Sequence, residues 1–234
     1  LPPGSSWTGV VETEALHCAT QGRHAQMNGG SQQTSTREES GLGSEQELLR
    51  RLSLATPADT VRGFAINNML GVVREELGAE AMARCLEHCE EKEFTAFFNY
   101  PISHHLRVMY AAAWMLSERH DGFDNAIRRL SRGFTPGFLS STVGRAFMVL
   151  SQQGARPLFN NIPMAHRAVA SFGEIHVTWT GMRSGLLTSK RDFLLYMNHE
   201  SALLGLMQVL RLSSPRVRGW QTGPLENEVE FSWE

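Results

Sequence analysis

The segment Phe172-Gly173-Glu174-Ile175-His176-Val177-Thr178-Trp179 is where the apolar rhythm of this chain changes from helical to alternating. Ile175, Val177 and Trp179 fall on one side of an extended backbone and His176 and Thr178 on the other, the mark of a half-buried strand. Upstream, about a hundred residues repeat at helix spacing. Phe64, Met69, Val72, Val73 and Leu77 form one face, closed by Gly78. Ala81, Met82, Cys85, Leu86 and Cys89 form a second face, ending at the acids from Glu90. Leu106, Met109, Tyr110, Ala113, Trp114 and Leu116 follow Pro101, which a first helical turn tolerates. Further helices are expected over 123–130, 138–150 and 157–170, with Pro163 near a turn or kink. Downstream, a second strand is expected over 193–197 and a helix over 200–212. Two closing strands lie around Val217 and Val229, on either side of Thr222-Gly223-Pro224. The class is therefore α+β: an N-terminal helical layer followed by a small antiparallel sheet in the order strand, strand, helix, strand, strand.

With 234 residues, 41% of them hydrophobic, the chain can build one substantial core in one or two domains. Residues 1–58 are expected to be a disordered or loosely ordered arm, because 29–44 are almost all Gly, Ser, Thr, Gln and charge, with Leu42 the only large apolar side chain. Within the arm, 45–54 read as a short helix capped by Ser44 and ended before Pro57. A single α+β domain is expected over 59–234. No apolar run approaches the ~18 residues of a spanning helix, and the start Leu1-Pro2-Pro3-Gly4 does not read as a secretory signal. Three cysteines, Cys18, Cys85 and Cys89, form no framework, which points to a reducing, cytoplasmic setting.

The net charge of −2 is unevenly laid out. From 59 to 100 there are eight acidic and four basic residues; from 101 to 224, fourteen basic and six acidic; from 225 to 234, four acidic and none basic. Charges that meet inside the fold explain this more simply than a partner does.

Candidate sites follow from residue type and spacing. Cys85, His88 and Cys89, at i, i+3 and i+4 of one expected helix, put two thiols and an imidazole on one face. A structural zinc site needs a fourth ligand, so small core residues are the plainer reading. His104 and His105 head an aromatic-rich helix, where an axial haem ligand is weighed against a solvated imidazole pair. Arg128, Arg129, Arg132, Arg145, Lys190, Arg191, Arg216 and Arg218 would bind a nucleotide or nucleic acid if they converged, yet no phosphate loop or helix-turn-helix accompanies them. Ser140, Ser141 and His166 lack a nucleophile elbow, and the serines suit helix capping. His176 and His199 show no partner acid at readable spacing, and Glu174 and Asp192 stand alone, so no catalytic residue is assigned. Gly144 before Arg145 lets a group approach the 138–150 helix closely. Trp114, Trp179, Trp220 and Trp233 read as core aromatics that can border an apolar space.

Val61-Arg62-Gly63-Phe64, Leu77-Gly78-Ala79-Glu80, Tyr100-Pro101-Ile102, Arg129-Leu130-Ser131-Arg132-Gly133, the 138–150 block with Gly144-Arg145, and Glu230-Phe231-Ser232-Trp233 occur in that order. Through them the chain resembles, over about 61–233, a paralogous domain-of-unknown-function family expanded in myxobacteria. The helix-then-sheet layout is also similar to haem nitric-oxide sensors and vinyl-reductase-type ligand-binding domains. Such haem sensors carry a Tyr-x-Ser-x-Arg motif that clamps the propionates, from which Tyr196-Met197-Asn198-His199-Glu200 departs at both later positions. The resemblance implies no established activity, but multiplication into paralogues suits a non-enzymatic regulatory domain: a small-molecule sensor, or a protein-interaction module that could form a homodimer, with no membrane role and no assigned cofactor. Nucleotide or nucleic-acid binding is the alternative. The expected site lies between helices and sheet, walled by 138–150 and 172–179. Arg145 is its polar anchor, unless it pairs with Glu118 or Asp121, and Gly144, Arg129, Trp114 and Trp179 stand around it.

Overall fold

The computed structural model describes residues 41–149 and 154–234. The disorder expected for 1–40 and the helix end expected at Leu150 lie outside the described residues.

The first helix, α1 (Glu45–Leu54), begins where the sequence signals it. Ser44 Oγ accepts the Glu47 amide at 3.1 Å and the Glu47 carboxylate accepts the Gly43 amide at 2.8 Å, a reciprocal cap. This helix belongs to the segment expected as an arm, and it packs against the body. Arg51 is 1% exposed, and its guanidinium donates to the Phe193 carbonyl at 3.3 Å.

Strand β1 (Thr60–Arg62) pairs antiparallel with β2 (Asn99–Pro101), Val61 opposite Tyr100, and Val61 also bridges to Ala170. The ribbon launches the two longest helices of the first half, α2 (Gly63–Leu77) and α4 (Ile102–Leu116), side by side. The short α3 (Ala79–Cys85) lies between them in sequence. α5 (Phe123–Ser131) closes this layer. Ile66, Leu106, Val108, Met109, Leu116 and Ile127 are all fully buried, each contributing roughly 1.5–3 kcal/mol through the apolar surface it removes from water.

The helix expected over 138–150 is two helices, α6 (Phe134–Ser140) and α7 (Thr142–Val149). Ser141 is extended (φ −71°, ψ 164°), and its hydroxyl accepts the Gly144 amide at 3.0 Å. The capping role read from the serines therefore falls inside the expected helix and divides it. The segment 157–170 likewise becomes α8 (Ala155–Asn160) and α9 (Ile162–Val169), with Pro163 in the first turn of α9.

The sheet is antiparallel with strand order β3-β4-β6-β5, from β3 (Glu174–Trp179), β4 (Ser184–Lys190), β5 (Arg216–Gly223) and β6 (Glu226–Ser232); α10 (Tyr196–Val209) runs between β4 and β5. The strand-strand-helix-strand-strand order holds, but the second strand is β4 and not 193–197. There, Asp192 accepts the Leu194 amide at 2.9 Å, the Leu195 amide donates to Asn198, and α10 starts at Tyr196. A short apolar run such as Phe193-Leu194-Leu195 does not separate strand from buried connection by periodicity. β4 hides for the opposite reason. Ser184-Gly185-Leu186 carries no β-branched signal, yet Gly185 is required, since a Cβ there would sit 2.4 Å from the Phe231 ring and 2.9 Å from the Thr178 carbonyl.

Candidate functional site

Where α2, α4, α5, α6, α7, α9 and α10 meet β1 and β4, the chain leaves a cavity of about 140 Å³. Its walls are apolar: Ala65 and Met69 from α2, Leu187 from β4, Leu203 and Leu206 from α10, and an aromatic side made by Phe134, Phe138 and Phe147. Phe134 and Phe138 stack with centroids 6.3 Å apart, and Phe147 meets Phe138 edge-on at 5.9 Å. Gly144 makes this side possible. A Cβ there would lie 2.0 Å from the Phe138 carbonyl oxygen, so the close approach read from the sequence is made by the chain's own α6. Asn68 lines both the cavity and a surface groove along α2.

The polar groups on the wall are nearly all spent. Asn198 donates to Ser131 Oγ at 2.8 Å, and Ser131 donates to the Ile127 carbonyl at 2.8 Å. Thr135 donates to the Ala202 carbonyl at 3.2 Å. His166 Nε2 donates to the Phe172 carbonyl at 2.8 Å, and His199 Nε2 donates to Asp192 Oδ2 at 2.7 Å. Asp192 is fully buried. Burial pushes its carboxyl upward, but the His199 ring and its hydrogen bond, with His166 and the Leu194 amide, hold it below the usual carboxylate range. Burial depresses the His166 imidazole below its ordinary value.

His105, from α4, is the exception among the buried wall residues. It is 4% exposed and lines the cavity, and neither ring nitrogen has a partner. Burial lowers its pKa to about 4 against the attraction of Asp192, so the ring is neutral at physiological pH. The exposed, solvated imidazole pair expected at His104 and His105 is thus corrected: α4 is covered on nearly all sides, and both rings are buried. The isolation expected of Asp192 and His199 is corrected as well. They meet across the connection into α10, seven residues apart, a spacing no single element would advertise.

The other named residues lie away from the cavity wall. Arg145 is exposed and bonds the Ser140 carbonyl and Thr142 Oγ1 rather than Glu118 or Asp121. Arg129 pairs with Glu76 at 2.6 Å and Glu75 at 3.6 Å. Trp114 donates to the Gly43 carbonyl at 2.7 Å, and Trp179 donates to Asn160 while Arg156 covers its ring at 4.3 Å. Of the two expected walls, 138–150 contributes Phe138, Leu139 and Phe147, whereas β3 contributes nothing and β4 stands in its place. Cys85 and Cys89 are buried free thiols. α3 ends at Cys85, so the expected i, i+4 geometry is not formed, and His88 is exposed. No group of three or more metal-ligating side chains assembles among the described residues, and no described helix is long and apolar enough to cross a membrane.

Solved structures similar to this chain share its fold. A mutant H-NOX protein from K. algicida, in the unliganded Fe(II) state, aligns with TM-score 0.60 at 14% identity, over 74% of this chain and 96% of that one. An H-NOX protein from S. oneidensis in the Fe(II)NO state aligns with TM-score 0.57 at 13% identity, over 74% and 99%. No curated protein is significantly similar. Residues 54–234 match the model of the family described as "Protein of unknown function (DUF2378)", and the chain belongs to that family.

Proposed function

We propose that this domain is a non-enzymatic small-molecule sensor whose ligand occupies the cavity between the helical layer and the sheet. The observation that carries the reading is the cavity itself, an apolar space of about 140 Å³ at the meeting point of seven helices and two strands. A well-packed interior otherwise fills such space, and dry apolar cavities of roughly this size take up benzene or xenon. The fold is shared with H-NOX proteins, one of them solved in an Fe(II)NO ligation state, which supports a ligand-binding reading by analogy of fold.

The haem of the H-NOX structures is the first ligand to test against these residues, and they do not fit it. The cavity is far smaller than the ~300–1,000 Å³ of pockets for larger ligands. His166 and His199 are turned to Phe172 and Asp192, and His105, whose ring nitrogens are without protein partners, borders a space of one-ring size. The Tyr-x-Ser-x-Arg pattern survives only as Ser189-Lys190-Arg191, with Leu187 at the first position, and Arg191 is committed to Asp59 at 2.7 and 2.9 Å. Catalysis lacks support for a similar reason: the wall hydroxyls of Ser131 and Thr135 donate to the Ile127 and Ala202 carbonyls.

A protein-interaction surface is the second reading. It is favoured by Phe97 and Phe98, 65% and 64% exposed close in sequence to Glu90, Glu91 and Glu93. The nucleic-acid alternative is less well supported, because Arg128, Arg129 and Arg191 are engaged by Glu200, Glu76 and Asp59.

Xenon tests the cavity without assuming a ligand. In ¹²⁹Xe NMR the full chain is expected to shift and broaden the dissolved-xenon resonance, and Ala202→Phe, which fills the wall, to abolish the effect. Equal spectra for both proteins would sink the proposal.

A further inference from the structure

The cavity has a chemical preference written into one side chain. A polar group buried without a partner costs free energy, and native structures leave few of them. Of the ring nitrogens that line this cavity, His166 Nε2 and His199 Nε2 are satisfied by the protein, while His105 has neither nitrogen satisfied. A neutral imidazole presents one N–H donor and one lone-pair acceptor. A ligand hydroxyl can serve either nitrogen, donating to one or accepting from the other.

The surroundings narrow the class further. An anionic ligand is disfavoured, because the one ionised group close behind the wall is Asp192 and the His105 ring carries no charge at neutral pH. A cationic ligand finds no free carboxylate, since Asp192 is held by His199 and the Leu194 amide. The size is that of a single six-membered ring. The side formed by Phe134, Phe138 and Phe147 offers ring faces and edges of the kind that aromatic ligands prefer.

We infer that the cavity takes a neutral, single-ring aromatic molecule bearing one hydroxyl, a phenol-type ligand, with that hydroxyl hydrogen-bonded to His105. The inference rests on the ligand-binding reading above and gives it a chemical class. Binding involves no bond breaking: the ring replaces empty space and the hydroxyl supplies the partner that the imidazole lacks.

Phenol and toluene have the same number of heavy atoms and differ in the group that matters, and benzoate adds a charge. Isothermal titration of the full chain with each is expected to give phenol about tenfold tighter than toluene, the ratio set by one neutral hydrogen bond, and benzoate weakest. On phenol binding, the ¹⁵N signals of the His105 ring are expected to shift, and on toluene binding to stay. His105→Leu is expected to keep toluene binding and lose the preference for phenol; His105→Gln, which retains a donor and an acceptor, should keep part of it. If wild-type protein binds toluene as tightly as phenol, or prefers benzoate, the inference is overturned while the cavity reading stands. The same holds if neither ring binds although xenon does. If neither xenon nor a ring binds, both fall.

Discussion

Replacing His105 by leucine removes two buried ring nitrogens that the protein does not satisfy and leaves a side chain of similar bulk. An unmade hydrogen bond of a buried group costs about 1–3 kcal/mol, so the substitution is expected to stabilise the unliganded protein by about 1 kcal/mol or more at pH 7.5, against the usual direction of core mutations. The gain grows in acid. The folded-state pKa of about 4 lies below the ordinary value of 6.5. Above pH 6.5 the ring is neutral in both folded and unfolded chains and contributes no pH dependence. Between 6.5 and 4 the unfolded chain takes up the proton and the folded chain refuses it, so stability falls as pH falls. At pH 5 that loss amounts to about 2 kcal/mol, and leucine abolishes it.

Differential scanning calorimetry of wild type and His105→Leu at pH 7.5 and 5.0 reads both effects. For a chain of this length each kcal/mol moves Tm by about 2–4 °C. The variant is expected to melt a few degrees higher at pH 7.5 and roughly 6–12 °C higher at pH 5.0. Asp192 and His166, whose depressed pKa values also cost stability in acid, remain in both proteins and cancel in the comparison. A variant that melts lower at pH 7.5 and shows the same acid sensitivity as wild type would refute the claim that His105 is buried, neutral and unpartnered.

Gly144→Ala is expected to cost about 2–4 kcal/mol in urea unfolding, because its Cβ collides with the Phe138 carbonyl and not with a yielding side chain; wild-type stability would show that α6 and α7 are not held against each other. Asp192→Ala strips the acceptor from His199 Nε2 and from the Leu194 amide and is expected to cost about 3 kcal/mol. A loss under 1 kcal/mol at pH 7 would mean that the pair does not anchor the start of α10.

The sequence carried the architecture further than the site. Strand β3 was legible because Ile175, Val177 and Trp179 alternate in full view, and the helical layer because its faces repeat over several turns. β4 was not, since Ser184-Gly185 and Thr188-Ser189 look like loop and become strand only through pairing with β3 on one side and β6 on the other. The break at Ser141 was misread for a related reason: a cap residue inside an apolar repeat looks like part of the helix until its hydroxyl is seen bound to Gly144. The cavity had no local signal. Its lining runs from Val61 to Leu206, and the residue that gives it chemistry, His105, sits in a helix whose apolar residues cover nearly every face. Periodicity reports which residues are buried, not which buried polar group is left without a partner.

The uneven charge distribution gives the clearest case of a sequence signal whose meaning the fold decides. The acidic first half, the basic middle and the acidic tail fit either a surface for an anion or a partner or, more simply, charges that meet inside the fold. In the folded chain Glu76 takes Arg129 at 2.6 Å, Asp59 takes Arg191, and Arg216 stands 4.0 Å from Glu234, so each block finds its counter-charge in another. These pairs are unequal. Arg216 and Glu234 are both largely exposed and contribute little, as surface pairs do. Asp59 is 3% exposed and also accepts from Thr56, so its guanidinium partner is what permits a carboxylate to lie beneath the β1–β2 ribbon. Glu200 is 7% exposed and receives Arg128 from α5 and the Gly219 amide from β5, joining the helical layer to the sheet beside α10. Charge that is already committed to holding layers together is not free for nucleic acid. Of the buried side-chain nitrogens and oxygens without a protein partner among the described residues, those that border the cavity belong to a neutral side chain, His105.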